Sequence, residues 1–83
     1  MRLTVRYFAS IRESLGQGME ALDTSASTLA QLRDELVARG GSYAHSLARG
    51  KAVRMALNQV MSDEGAALTE GCEVAFFPPV TGG

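Results

Sequence analysis

The chain closes on Phe76-Phe77-Pro78-Pro79-Val80-Thr81-Gly82-Gly83, and this run holds the residue types best suited to chemistry. Two successive prolines hold a chain extended as it leaves a strand. Two terminal glycines carry no Cβ, so they fit a narrow channel and adopt backbone angles closed to other residues. The four residues after Pro79 reach roughly 13 Å when extended. Such a segment would deliver the carboxylate of Gly83 into a deep site on another protein. A bare carboxylate is a poor acyl donor, so activation has to come from that other protein. Adenylation at Gly83 followed by attack of a sulfur donor would leave a thiocarboxylate. Val80, Thr81, Gly82 and Gly83 are therefore the expected inserting residues, with Gly83 the reacting one. A Gly-Gly pair at a chain end carries little weight alone, because ends fray. Its place behind an apolar strand and a Pro-Pro exit is what favours a function.

The remaining chemistry-bearing side chains read as structure. Cys72 stands beside Glu73 with no adjacent cation to lower its pKa, which predicts an inert thiol. His45 lacks a second histidine, a cysteine pair or a carboxylate at ligand spacing, so no metal site is expected. Asp63-Glu64 reads as a solvated turn, and turn chemistry accounts for Asn58-Gln59. Arg12, Arg49 and Lys51 serve solubility or a partner equally well.

The elements that must position the tail follow from patterning. Leu3, Val5 and Tyr7 alternate with Thr4, Arg6 and Phe8, the period of a half-buried strand. Ile11 and Leu15 predict a short helix ended by Gly16, and Met19 to Asp23 a second strand pairing with the first. The clearest helix runs from about Leu29 to Arg39, with Thr28 and Gln31 at capping-box spacing. Leu29, Leu32, Leu36 and Val37 share one face, Arg33, Asp34 and Glu35 fall away from it, and Gly40-Gly41 stops it. From Ser42 to Lys51 a turn or short helix is expected. Val53, Met55 and Leu57 form a third strand, and Val60-Met61 a short fourth. Glu73 to Phe77 is the last strand, ended by Pro78-Pro79. The order predicts an α+β fold, a ubiquitin-like β-grasp roll with one main helix packed on one face of a mixed sheet. Residues 1–79 would form the domain and 80–83 an extended, flexible tail.

Fixing four tail residues costs roughly 4–8 kcal/mol of backbone entropy, and the two glycines bring no side-chain burial against it. A surface of the domain must therefore dock first. If Val74 and Phe76 face the helix, Ala75 and Phe77 face the other way. The same parity puts Phe8 outward, and Met61 joins from the short strand. Phe8, Met61 and Phe77, with Pro78 beside them, are the expected partner-binding patch.

The chain has 83 residues, 46% hydrophobic and 20% charged, with a formal net charge of −1. That composition fits one small globular domain. Without a basic stripe, nucleic-acid binding is not expected; without a long apolar run, neither is a membrane span. The start at Met1 runs directly into a strand pattern, so no signal peptide is expected, and the single cysteine, Cys72, allows no internal disulfide and fits a cytoplasmic setting.

The terminal octapeptide, Glu73-Val74-Ala75, Asn58-Gln59 and Tyr7-Phe8-Ala9 together resemble the MoaD family, the small subunits of molybdopterin synthase. The resemblance covers most of the chain and is weakest from Gly40 to Lys51. It implies that Gly83 is adenylated by an E1-like enzyme, MoeB, with ATP, then converted to a thiocarboxylate by a sulfur donor. It implies insertion of the tail into a large subunit, MoaE, in a heterotetramer, and sulfur transfer to cyclic pyranopterin monophosphate. Catalytic side chains would come mainly from MoaE, and no cofactor would be bound stably by the carrier. Carriers of the same fold, ThiS for thiamine and CysO for cysteine, share the Gly-Gly end, but ThiS proteins are usually shorter and lack the Phe-Phe-Pro-Pro lead-in. A ubiquitin-like modifier of lysines and a plain interaction module with an idle C-terminus are the readings from other classes.

Overall fold

Alternation along the first segment builds the strand on which the rest assembles. In the computed structural model, which describes residues 1–79, β1 (Arg2–Tyr7) buries Leu3, Val5 and Tyr7 and leaves Arg2 and Arg6 exposed. It is followed by α1 (Ala9–Leu15), β2 (Met19–Asp23), α2 (Leu29–Val37), α3 (Gly41–Leu47), β3 (Arg54–Leu57), β4 (Val60–Ser62) and β5 (Glu73–Phe77). The strands lie in the order β2-β1-β5-β3-β4. β1 and β5 pair in parallel at the centre, and the other neighbours are antiparallel. One side of this sheet gives Leu3, Val5, Tyr7, Leu22, Met55, Val74 and Phe76 to the core, against Ile11, Leu29, Leu32, Leu36 and Leu47 of the helices. The α+β, ubiquitin-like roll expected from the order of elements is the fold observed. Among the described residues no helix is long and apolar enough to cross a membrane.

Three helices cover the sheet, the expected main helix and two short ones. α2 is that helix, and it stops at Val37, just short of the expected Arg39. α3 resolves the segment that the sequence left between turn and helix. Gly40 and Gly41, with φ of 75° and 55°, supply the left-handed backbone that breaks α2 and starts α3. The cap of α2 also differs in detail. Thr28 Oγ1 accepts from the amide of Gln31 at 3.2 Å, but Gln31 Oε1 accepts from Ser27, amide and hydroxyl, rather than from Thr28.

Arg33 corrects the helical face read from sequence. It is buried, 5% exposed, because positions 29, 32, 33 and 36 share the i, i+3, i+4, i+7 face that points inward. Its guanidinium donates to the carbonyls of Leu47 (2.7 Å), Ala48 (2.8 Å) and Lys51 (3.1 Å). Those bonds tie the chain after α3 to α2.

The hairpin between β3 and β4 turns on two residues. Asn58 and Gln59 have φ of 50° and 69°, the mirror-image turn that matches strand twist and favours asparagine at its first position. Asn58 also donates its amide to the Glu73 carbonyl (2.8 Å) and accepts from the Glu73 amide through Oδ1 (2.9 Å). The hairpin is thereby locked to the start of β5.

Candidate functional site

The helices leave the other side of the sheet open, and the patch expected there lies on it. The amide of Phe8 donates to the Phe76 carbonyl at 3.1 Å, extending the parallel ladder by one residue. The chain then turns at Ala9, whose φ of 52° sends α1 to the covered side and leaves the Phe8 ring on the open one. Phe8 meets Phe77 edge to face, 6.3 Å between ring centres at 87°, a favoured aromatic geometry. Phe8 is 42% exposed and Met61 55%, while Phe77 and Pro78 are half-buried.

Strand register shows how these side chains relate. Arg6, Ala75, Ala56 and Met61 form one row across four strands. Ala75 and Ala56 are almost fully covered, so they make a flat floor between the aromatic pair and Met61. Arg54, opposite Phe77 in register, stands exposed at the rim. Arg6 at the other side lies 3.8 Å from Glu73. The sequence reading found the walls of this trough and put Ala75 on the same face, but missed Ala56 beside it. The signal was present, because Ala56 and Ala75 sit at outward parity between buried neighbours.

β5 brings the tail exit to the end of this face. Pro79 lines a groove of about 800 Å³ shared with Arg54, Met61, Asp63 and Glu64. Pro78 lines a second hollow, of about 310 Å³, on the side of α1 and α3. Val80, Thr81, Gly82 and Gly83, the expected inserting segment, lie outside the described residues.

Beneath the exit, the sheet end is fixed by a polar cluster. Tyr7 stacks on Phe76, 6.3 Å between centres, and its hydroxyl donates to Glu20 Oε2 at 2.8 Å, as does that of Tyr43. Arg39 donates to Glu20 Oε1 at 2.9 Å and lies over the Tyr43 ring. Burial works to raise the Glu20 pKa, but the bonds from Arg39, Tyr43 and Tyr7 together outweigh it and hold the carboxyl below its ordinary value. Burial first, then the Glu20 carboxylate, pushes the Tyr7 hydroxyl far up, so it stays a neutral donor.

The side chains set aside on sequence grounds fall as follows. Cys72 is buried. His45 is exposed on α3. Asp63 Oδ1 accepts from the Gly65 amide within its turn. Glu64 pairs with Arg49 at 2.6 Å, and Arg49 also reaches Asp34 at 2.9 Å, which occupies Arg49 within the fold.

Comparison with known proteins agrees with this geometry. The ThiS family profile matches residues 5–83. A molybdopterin synthase sulfur carrier subunit from Haemophilus influenzae is 38% identical over 81 residues, covering 98% of this chain and 99% of that protein. SAMP1 from Haloferax volcanii is 26% identical with a TM-score of 0.78, covering all of both chains. A chain from the complex of subunits 1 and 2 of the molybdopterin-converting factor of Helicobacter pylori is 27% identical with a TM-score of 0.69, again over both full lengths.

Proposed function

Because this chain belongs to the ThiS family, and over nearly its full length shares 38% of its residues with a molybdopterin synthase sulfur carrier subunit, we propose how it carries sulfur and to whom. The chain is a sulfur carrier of molybdenum cofactor biosynthesis. Its reacting group is the Gly83 carboxylate. A MoeB-like E1 enzyme adenylates it with ATP, a sulfur donor displaces AMP, and the thiocarboxylate so formed is the cargo. The carrier holds no cofactor of its own, and the work is done in the cytoplasm where ATP is supplied.

The partner that receives the sulfur is a MoaE-like large subunit, in a heterotetramer. The Helicobacter pylori relative is described in complex with a second subunit, which supports this partner. The trough of Phe8, Phe77, Ala75, Ala56 and Met61 provides the docking area. An exposed apolar face of this kind is what a partner surface looks like, and its burial offsets the entropy lost as Val80 to Gly83 thread into the partner. Pro78 and Pro79 keep the thread from folding back onto the sheet. The Gly-Gly end then lets the sulfur approach cyclic pyranopterin monophosphate without a side chain in the way.

The observation that carries this reading is the placement of Phe77-Pro78-Pro79, where the docking trough and the start of the tail are adjacent residues of one strand end. Transfer is tested with thiocarboxylated protein, MoaE and the pterin precursor. Molybdopterin should form in proportion to carrier consumed. Full activity of a chain lacking Gly82 and Gly83 would overturn the reading.

A further inference from the structure

Among the described residues, Arg54 is the cation of the open face that has no counter-ion. It precedes buried Met55 on β3, so its side chain leaves the sheet on the same side as Ala56. Its register partner on β5 is Phe77, and Ala56, two residues along, pairs with Met61. Arg54 thus borders both the aromatic wall of the trough and its floor. The other cations of this face are answered within the fold, Arg6 by Glu73 and Arg2 by Asp23. The Arg54 guanidinium makes neither an ion pair nor a hydrogen bond among the described residues, although Asp63 and Glu64 line the groove beside it. Both carboxylates are engaged elsewhere. Asp63 accepts from the Gly65 amide at 2.9 Å. Glu64 accepts from Arg49 at 2.6 Å and lies 3.6 Å from Arg33. Arg12, also without an ion pair among the described residues, belongs to α1 on the covered side.

A partner that covers Phe77, Ala56 and Met61 cannot leave Arg54 out, because Arg54 adjoins the first two. Covering it strips water from the guanidinium, and a cation desolvated without a counter-charge is strongly unfavourable. We infer that the large subunit presents a carboxylate, from Asp or Glu, to Arg54, and that this pair sets the register in which the two proteins dock. The inference rests on the reading of the open face as the docking surface. A carboxylate is the group that fits, since it matches the planar fork of arginine with two parallel hydrogen bonds. The groove of about 800 Å³ between Arg54, Met61 and Pro79 gives an acidic side chain room to come alongside. The position has a consequence for delivery. Arg54 is in register with Phe77, and Pro78 and Pro79 follow directly, so an error in docking at Arg54 is carried straight into the start of the tail.

The test is isothermal titration of the full chain with the large subunit, combined with a double-mutant cycle. Arg54 is exposed and its side chain is bonded to nothing among the described residues, so Arg54→Gln and Arg54→Glu should melt with the parent. Arg54→Gln should weaken binding about 30-fold or more, the loss that follows when one member of a covered charge pair is removed. Arg54→Glu should weaken it further, through repulsion. Single Asp→Asn and Glu→Gln substitutions on the large subunit should reveal one carboxylate whose loss is coupled to Arg54→Gln by about tenfold or more. Weakened binding with no such coupling would overturn the inference. So would Arg54→Glu binding as tightly as the parent while Phe77→Ala binds weakly, a result that leaves the docking reading standing. Unchanged affinity in Phe77→Ala as well would overturn both.

Discussion

Phe77 belongs to the sheet and to the proposed interface at once, and its half-buried ring separates the two roles. Phe77→Ala removes the edge contact with Phe8 and one wall of the trough. Aromatic anchors at interfaces cost about 1–3 kcal/mol or more on truncation. Affinity for the large subunit, followed by isothermal titration, should therefore fall about tenfold or more, with little change in melting temperature. Unchanged affinity would remove the open face from the account. Glu20 makes a different prediction, in pH. Its folded pKa lies below the unfolded value, so its share of stability is complete above the unfolded carboxylate range and is lost as pH falls through the folded pKa. Glu20→Gln should be less stable than the parent near neutrality and lose less on acidification, as read from urea midpoints against pH. Parallel curves would mean that the cluster around Glu20 contributes nothing. At this scale the sequence disclosed Phe8 and Phe77 through strand parity. It could not disclose the Glu20 cluster, because Tyr7, Glu20, Arg39 and Tyr43 meet only once β1, β2, the turn after α2 and α3 are packed.

Among the elements, the strands and α2 were legible from the period of their apolar residues and from Thr28 and Gln31, while the helix face was misjudged at one position. Reading Arg33 as solvent-facing followed its charge and ignored its place four residues after Leu29. The fold keeps a guanidinium there because three carbonyls at the end of α3 need donors, and a buried cation is tolerated when so bonded. Arg33→Met should cost about 2–4 kcal/mol by leaving those carbonyls unsatisfied, measured by urea unfolding. A loss below the error of that measurement would show that water satisfies them. The β3–β4 hairpin offers a finer test. Asn58→Ala loses both the left-handed preference and the bond from Glu73, and should cost about 1–2 kcal/mol. Asn58→Gly keeps the backbone angle and should cost less. An equal loss would assign the whole effect to the side-chain bond. The extent of α3 was not legible, since Ser42 to Lys51 mixes Tyr43, Leu47 and Ala48 with a Gly-Gly start and no periodic stripe long enough to decide.

For the whole molecule, the α+β roll followed from the order of elements, whereas the strand order, with the first and last strands paired in parallel, was not read from the sequence. The same topology places the end of β5, and so the start of the tail, next to Phe8. Trough and tail are thus neighbours by construction, and separating them by inserting residues after Pro79 would uncouple docking from delivery. The central claim is narrower than the fold: Gly83 is where sulfur is carried. It is tested most directly by the intact mass of the protein after incubation with ATP, a MoeB-like enzyme and a sulfide source. The account predicts a gain equal to sulfur replacing one oxygen, located at Gly83 and lost when Gly83 is deleted. An unchanged mass with an enzyme that loads another carrier in parallel, or a gain that survives deletion of Gly83, would contradict it.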